Sequence, residues 1–139
     1  MRHRKKVKKL GREREHRKAT LRNIVRGVFM YGYSRTTTPR AKAARSIIDS
    51  ILSRAMEDTV HNRRMVNRFL DDRKLTNWIF HAVAPLFRDG EHKGGYTRVL
   101  RIGYRRGDGA ELSIIQLLKF PEESPWVRKR EKKKVEENA

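Results

Sequence analysis

Apolar positions recur at helical spacing through the first two-thirds of the chain and alternate singly near its end, which predicts helices giving way to strands. Leu21, Ile24, Val25, Val28 and Phe29 make one face of a helix that begins near Glu13 and closes at Gly32. Tyr33 to Thr37 is short, aromatic and β-branched, as a strand requires; Thr38 then caps a second helix with Pro39 in its first position. Ala44, Ile47, Ile48, Ile51, Leu52 and Ala55 form the inner stripe of that helix, and Lys42, Arg45, Ser46, Asp49 and Ser53 lie opposite. Asp58 or Thr59 starts a third helix that turns Val60, Met65, Val66, Phe69 and Leu70 inward. Asp71 or Asp72 caps a fourth, with Leu75, Trp78, Ile79, Ala82 and Val83 inward and Pro85 at its end.

Gly90 to Gly95 reads as a loop, and from Tyr96 the period becomes two. Arg98, Leu100, Ile102 and Tyr104 share one face; Thr97, Val99, Arg101 and Arg105 share the other. Arg106, Gly107, Asp108 and Gly109 supply a turn, after which Ala110 to Phe120 returns antiparallel with Leu112, Ile114 and Leu118 inward. Two strands alone are marginal and need the helices. After Pro121 no apolar period remains beyond Trp126, Val127 and Val135. The expected plan is a basic arm (1–12), one α/β domain (13–120) and a charged tail (121–139).

Charge changes this picture. The 139 residues carry 35 Lys and Arg against 16 Asp and Glu, a formal charge of +19. Ten of those cations fall in the first eighteen residues. Arg14, Lys18, Arg22 and Arg26 recur every fourth position, and like charges so placed destabilise a helix by a few tenths of a kcal/mol per pair. A Glu13 to Arg17 pair cannot offset the row, whereas an external polyanion can. Without Cys there is no disulfide, thiolate zinc site or cysteine nucleophile, which fits the cytoplasm. With no apolar run near 18 residues and no apolar block in the leader, no membrane partner is expected.

Catalytic chemistry finds little support. His3, His16, His61, His81 and His92 never pair at metal-ligand spacing with an acid, so no metal or other cofactor is expected. The carboxylate pairs Glu57 with Asp58 and Asp71 with Asp72 fall where helix caps belong. Gly103, Gly107 and Gly109 precede a strand, not the helix a phosphate loop needs, and no serine has an elbow-like glycine setting. The expectation is therefore a non-enzyme with no small-molecule substrate. Binding features are richer. Lys5, Lys6, Lys8, Lys9 and Arg12 in the arm, Arg14, Lys18 and Arg22 on the helix, and the segment from Arg35 to Arg45 lie among Asn23, Thr36, Thr37, Asn62 and Tyr96, which suit phosphates and sugar hydroxyls. Lacking a groove-reading helix or zinc module, the chain fits RNA better than duplex DNA; a DNA-binding architectural protein is the alternative.

Several words are specific: MRHR at the start, His16 with Arg17, Arg22 with Asn23, TTTPRAKAARSIID from Thr36, NRR from Asn62 and GGYTRVLRIGYRRGD from Gly94. In this order, over residues 1–118, the chain resembles the bacterial large-subunit ribosomal protein L-seventeen family. The resemblance implies an α+β fold (mixed α/β, two layers) in which helices pack on a small mixed sheet, with the early strand joining the C-terminal hairpin. It also implies a structural role on 23S rRNA near the exit of the nascent-peptide tunnel, beside neighbouring large-subunit proteins. Carried over by position, the implied RNA contacts are Arg2, His3, Arg4, His16, Arg17, Arg22, Asn23, Thr36, Thr37, Arg40 and Lys42. Asn62, Arg63, Arg64, Gly94, Gly95, Tyr96 and Arg98 complete the set. Met56 stands where the family commonly has a basic residue, so that helix end is assigned no phosphate.

Overall fold

The computed structural model describes residues 8–88, 94–122 and 124–127. Helix α1 (Arg14–Tyr31) buries Leu21, Val25, Val28 and Phe29 and ends at Gly32, whose φ of 82° suits glycine. Strand β1 (Tyr33–Thr37) leads directly into α2 (Thr38–Ala55), which touches α1, α3 and all three strands. The expected α2 boundary shifts by one residue. Thr37 is the cap and Thr38 the first helical residue, because the Thr38 hydroxyl is buried against Ser113 Oγ at 2.7 Å.

Helix α3 (Val60–Leu70) starts at Thr59, whose hydroxyl accepts from the Asn62 amide at 3.2 Å. Val66 and Leu70 are buried, but Val60, expected inward, is 65% exposed at the first position of the helix. Asp71 ends α3 in the left-handed region (φ 56°), and Asp72 caps α4 (Arg73–Trp78) by accepting from the Leu75 amide at 3.0 Å. Instead of stopping at Pro85, the helix widens into a π-helical segment (Ile79–Val83) and continues as the short α5 (Pro85–Arg88). The amide of Ala84 reaches back five residues to Ile79 O, at 2.8 Å. Widening there relieves the clash that the Pro85 ring makes with an α-helical carbonyl four residues earlier.

Strands β2 (Thr97–Tyr104) and β3 (Glu111–Leu117) complete a three-stranded sheet of order β1-β3-β2, antiparallel throughout. The fold is α+β, with the early strand beside the hairpin as the resemblance implied, but the sheet is antiparallel and not mixed, because β1 runs against the central β3 as β2 does. In β3, however, the expected inward set holds only at Leu112, which is buried; the parity of the rest is opposite. Ser113, Ile115 and Leu117 face the helices, Ile114 is half-buried and Leu118 is 46% exposed. Alternation alone assigns a serine outward, but Ser113 tolerates complete burial because Thr38 satisfies its hydroxyl. One core runs through the whole, with Val25, Phe29, Ile48, Leu52, Leu70, Leu75, Ile79 and Ile115 fully enclosed. Each such side chain contributes roughly 1.5–3 kcal/mol by leaving water.

Past Pro121 the chain returns to this body. The buried Ser124 hydroxyl donates to Met30 O at 2.7 Å, and Trp126 packs on Trp78.

Candidate nucleic-acid interface

The β1–α2 junction places cations around the amino end of a helix. Thr37 caps α2 without a side-chain bond, no acid occupies the first turn, and the adjoining cleft of about 650 Å³ is lined by Arg35, Thr36, Thr37, Arg40, Tyr104, Arg105, Arg106 and Leu112. Unsatisfied amides and the positive end of the helix dipole favour an anion there. β1 pairs with β3 so that Arg35 lies opposite Ile114 and Thr37 opposite Leu112, which sets Arg35 on the sheet face away from α2. Arg105 is partly committed, since its guanidinium grips both oxygens of Asp108 across the turn. That contact, with the Ala110 amide, holds the Asp108 carboxyl far below the usual aspartate range.

A second cleft of about 530 Å³ lies between α2 and the outer strand, lined by Thr38, Lys42, Arg45, Thr97, Arg98, Val99, Arg101 and Leu118. Asp49 is 3.8 Å from Arg45 Nε and also accepts from the Thr97 hydroxyl at 3.2 Å; Glu111 lies 3.1 Å from Arg101 Nε. Lys42 and Arg98 are exposed and have no ion pair among the described residues. Across both clefts eight cations therefore meet three carboxylates, Asp49, Asp108 and Glu111. Arg101, Tyr104, Arg105 and Arg106 were not among the expected contacts. Their signal was the alternation through Arg101 together with the turn that folds Arg105 and Arg106 back beside β1.

The cationic row on α1 divides in two. Arg14 and Lys18 are exposed, as are His16 and Asn23; Arg17 is half-buried. Arg22 Nε donates to Phe69 O at 2.8 Å, and Arg26 donates to Leu70 O and Asp71 O at 2.7 and 2.8 Å. The unpaired carbonyls ending α3 thus offset half of a row expected to need an external polyanion.

On α3, Arg63 holds Asp58 in a two-oxygen contact, donates to Asn77 Oδ1 at 3.1 Å and lies over the Phe80 ring at 5.0 Å. The same guanidinium keeps the Asp58 carboxyl below its ordinary pKa. The Asn62 side chain donates to Glu57 O at 3.0 Å. Both residues therefore stabilise the α3 entry, leaving Arg64 exposed beside them. Tyr96 needs correction as a surface contact: it is 5% exposed, with its ring edge-on to Phe87 at 5.3 Å. Gly94 and Gly95 are exposed, and Lys8, Lys9 and Arg12 lead from the arm, Arg12 half-buried. Arg2, His3, Arg4, Lys5 and Lys6 lie outside the described residues.

Among the described residues, no group of three or more His, Asp and Glu stands ready to hold a metal ion, and no helix is long and apolar enough to cross a membrane. Asp72 serves a helix cap, Asp71 ends a helix and Asp58 binds Arg63.

The family model for Ribosomal protein L17 matches residues 20–118. A large ribosomal subunit protein bL17 of Petrotoga mobilis is 47% identical over 126 residues, covering 85% of this chain and 97% of that protein. Its counterpart in Dictyoglomus thermophilum is 44% identical over 118 residues, 85% of this chain and all of that one. That of Thermotoga maritima is 45% identical over 126 residues, 85% and 95% respectively.

Proposed function

Because this chain belongs to the ribosomal protein L17 family, a structural and non-enzymatic constituent of the large ribosomal subunit, we propose that it binds 23S rRNA near the exit of the nascent-peptide tunnel. It stabilises the RNA fold there by neutralising crowded phosphates. The carrying observation is the excess of cations over carboxylates in the two clefts flanking α2. Phosphates fit Arg35, Arg40 and the amino end of α2 in the first cleft, and Lys42, Arg45 and Arg98 in the second.

Residues 13–120 are the domain laid against RNA and 1–12 an arm that enters crevices; of the tail 121–139, residues 124–127 pack back on that domain, and the sequence beyond them is available to RNA or a neighbouring large-subunit protein. Half-buried Leu10 packs on the core and marks where the arm leaves the body. His16, Lys18 and Asn23 extend the contact along α1, and Arg64, Gly94 and Gly95 extend it from α3 and the β2 entry. Work is confined to the ribosome, hence to the cytoplasm.

Gradient sedimentation of cell extract tests this reading. The protein should co-migrate with large subunits at low salt and leave them at high salt, because each neutralised phosphate releases condensed counterions. Binding unchanged by salt, or preference for duplex DNA over rRNA fragments in competition, would overturn it.

A further inference from the structure

Trp78 and Trp126 are the only tryptophans in the chain. They meet edge to face, centroids 5.8 Å apart and planes at 76°. Trp78 ends α4, whereas Trp126 belongs to the turn at Pro125–Val127, anchored through Ser124 on the carbonyl of Met30. The family match stops at residue 118, so one wall of this contact comes from the matched body and the other from outside it.

Around the two rings lies an open groove of about 400 Å³ lined by Lys74, Asn77, Trp78, His81, Pro125 and Trp126. That volume is at the small end of ligand sites. Its walls are largely indole and proline surface, with exposed Lys74, Asn77 and His81 at the rim. No carboxylate lines it among the described residues. Immediately after Val127 the sequence continues RKREKKK, six cations and one acid. An acidic peptide would match the charge but leave the indole surface wet. A nucleobase bearing its own phosphate matches both, because aromatic stacking accepts any base and lysine takes the phosphate as a point charge.

We propose that this groove receives one unpaired RNA base, stacked on Trp126 with the adjoining phosphate at Lys74. The inference rests on the RNA-binding reading above but concerns a separate surface, built on α4 and not on α2.

Both tryptophans report on the groove, so the full-length chain can be titrated with hexaadenylate, an abasic phosphodiester of equal length and polyglutamate while indole emission is followed. Anisotropy of a labelled 23S rRNA fragment records RNA binding as a whole. Saturable quenching by hexaadenylate alone is expected. Lys74→Ala should weaken it roughly tenfold, and Trp126→Leu should abolish the preference for base over abasic oligomer, as expected where each stacked base counts. Trp126→Phe keeps an aromatic wall and should retain that preference, separating stacking from misfolding. Equal quenching by the abasic oligomer or polyglutamate overturns the proposal, as does an unresponsive emission while anisotropy shows the rRNA fragment bound. Silence in both readouts overturns the RNA-binding reading and this inference with it.

Discussion

At Gly32 two requirements coincide. The backbone is left-handed (φ 82°), and a Cβ built there would fall 2.9 Å from the Phe120 ring. Gly32→Ala should therefore cost about 1–3 kcal/mol in urea unfolding, more than an αL position in open space. Arg26 offers a second test. Its guanidinium donates to two carbonyls at the end of α3, so Arg26→Met should lower stability by about 1–3 kcal/mol, with early loss of amide protection in α3. The pair Arg105 with Asp108 has a pH signature. A lowered folded pKa means its contribution is complete above the ordinary aspartate range, near 4, and is lost only as pH falls through the lower folded value. Carboxyl chemical shifts of Asp108 should thus show a midpoint well below that of an ordinary aspartate, and Arg105→Ala should raise it toward the ordinary value, the Ala110 amide holding it still somewhat low.

Between elements, the hydroxyl pair Thr38 and Ser113 joins the first turn of α2 to the central strand at 2.7 Å, with both residues buried. Thr38→Val leaves the Ser113 hydroxyl without that partner, for about 1–3 kcal/mol; adding Ser113→Ala should recover part of the loss, a coupling visible in a double-mutant cycle. Most helices were legible as elements because an apolar stripe at period 3.6 survives any tertiary context. The face of β3 was not, since Ser113 is polar by composition yet inward by pairing. Nor was the π-helical segment before Pro85, where a packed helix continues by widening although the proline ring suggests a stop.

For the whole molecule, affinity for rRNA should fall steeply with salt, and removing one phosphate-bound cation should lower the slope of log K against log salt by about one. Arg40→Ala, or Lys42→Ala in the second cleft, should have that effect; Arg63→Ala should instead reduce thermal stability and leave the slope nearly unchanged. The cations themselves were plain in the sequence. Which of them face outward was not, because a guanidinium on a helix serves an RNA phosphate or a neighbouring helix's carbonyls with the same donors. Arg14 and Lys18 stay exposed while Arg22 and Arg26, on the same row, close α3. Sequence alone determined the excess charge, the helical stripes, the β1–α2 junction and the family words, all of which depend on residue type and local spacing. The tertiary structure decided the parity of β3, the internal duties of Arg22, Asn62, Arg63 and Tyr96, the alignment of Arg101, Arg105 and Arg106 with α2, and the meeting of Trp78 with Trp126. Those outcomes depend on partners up to about ninety residues away, and no local pattern encodes the direction in which a distant element returns.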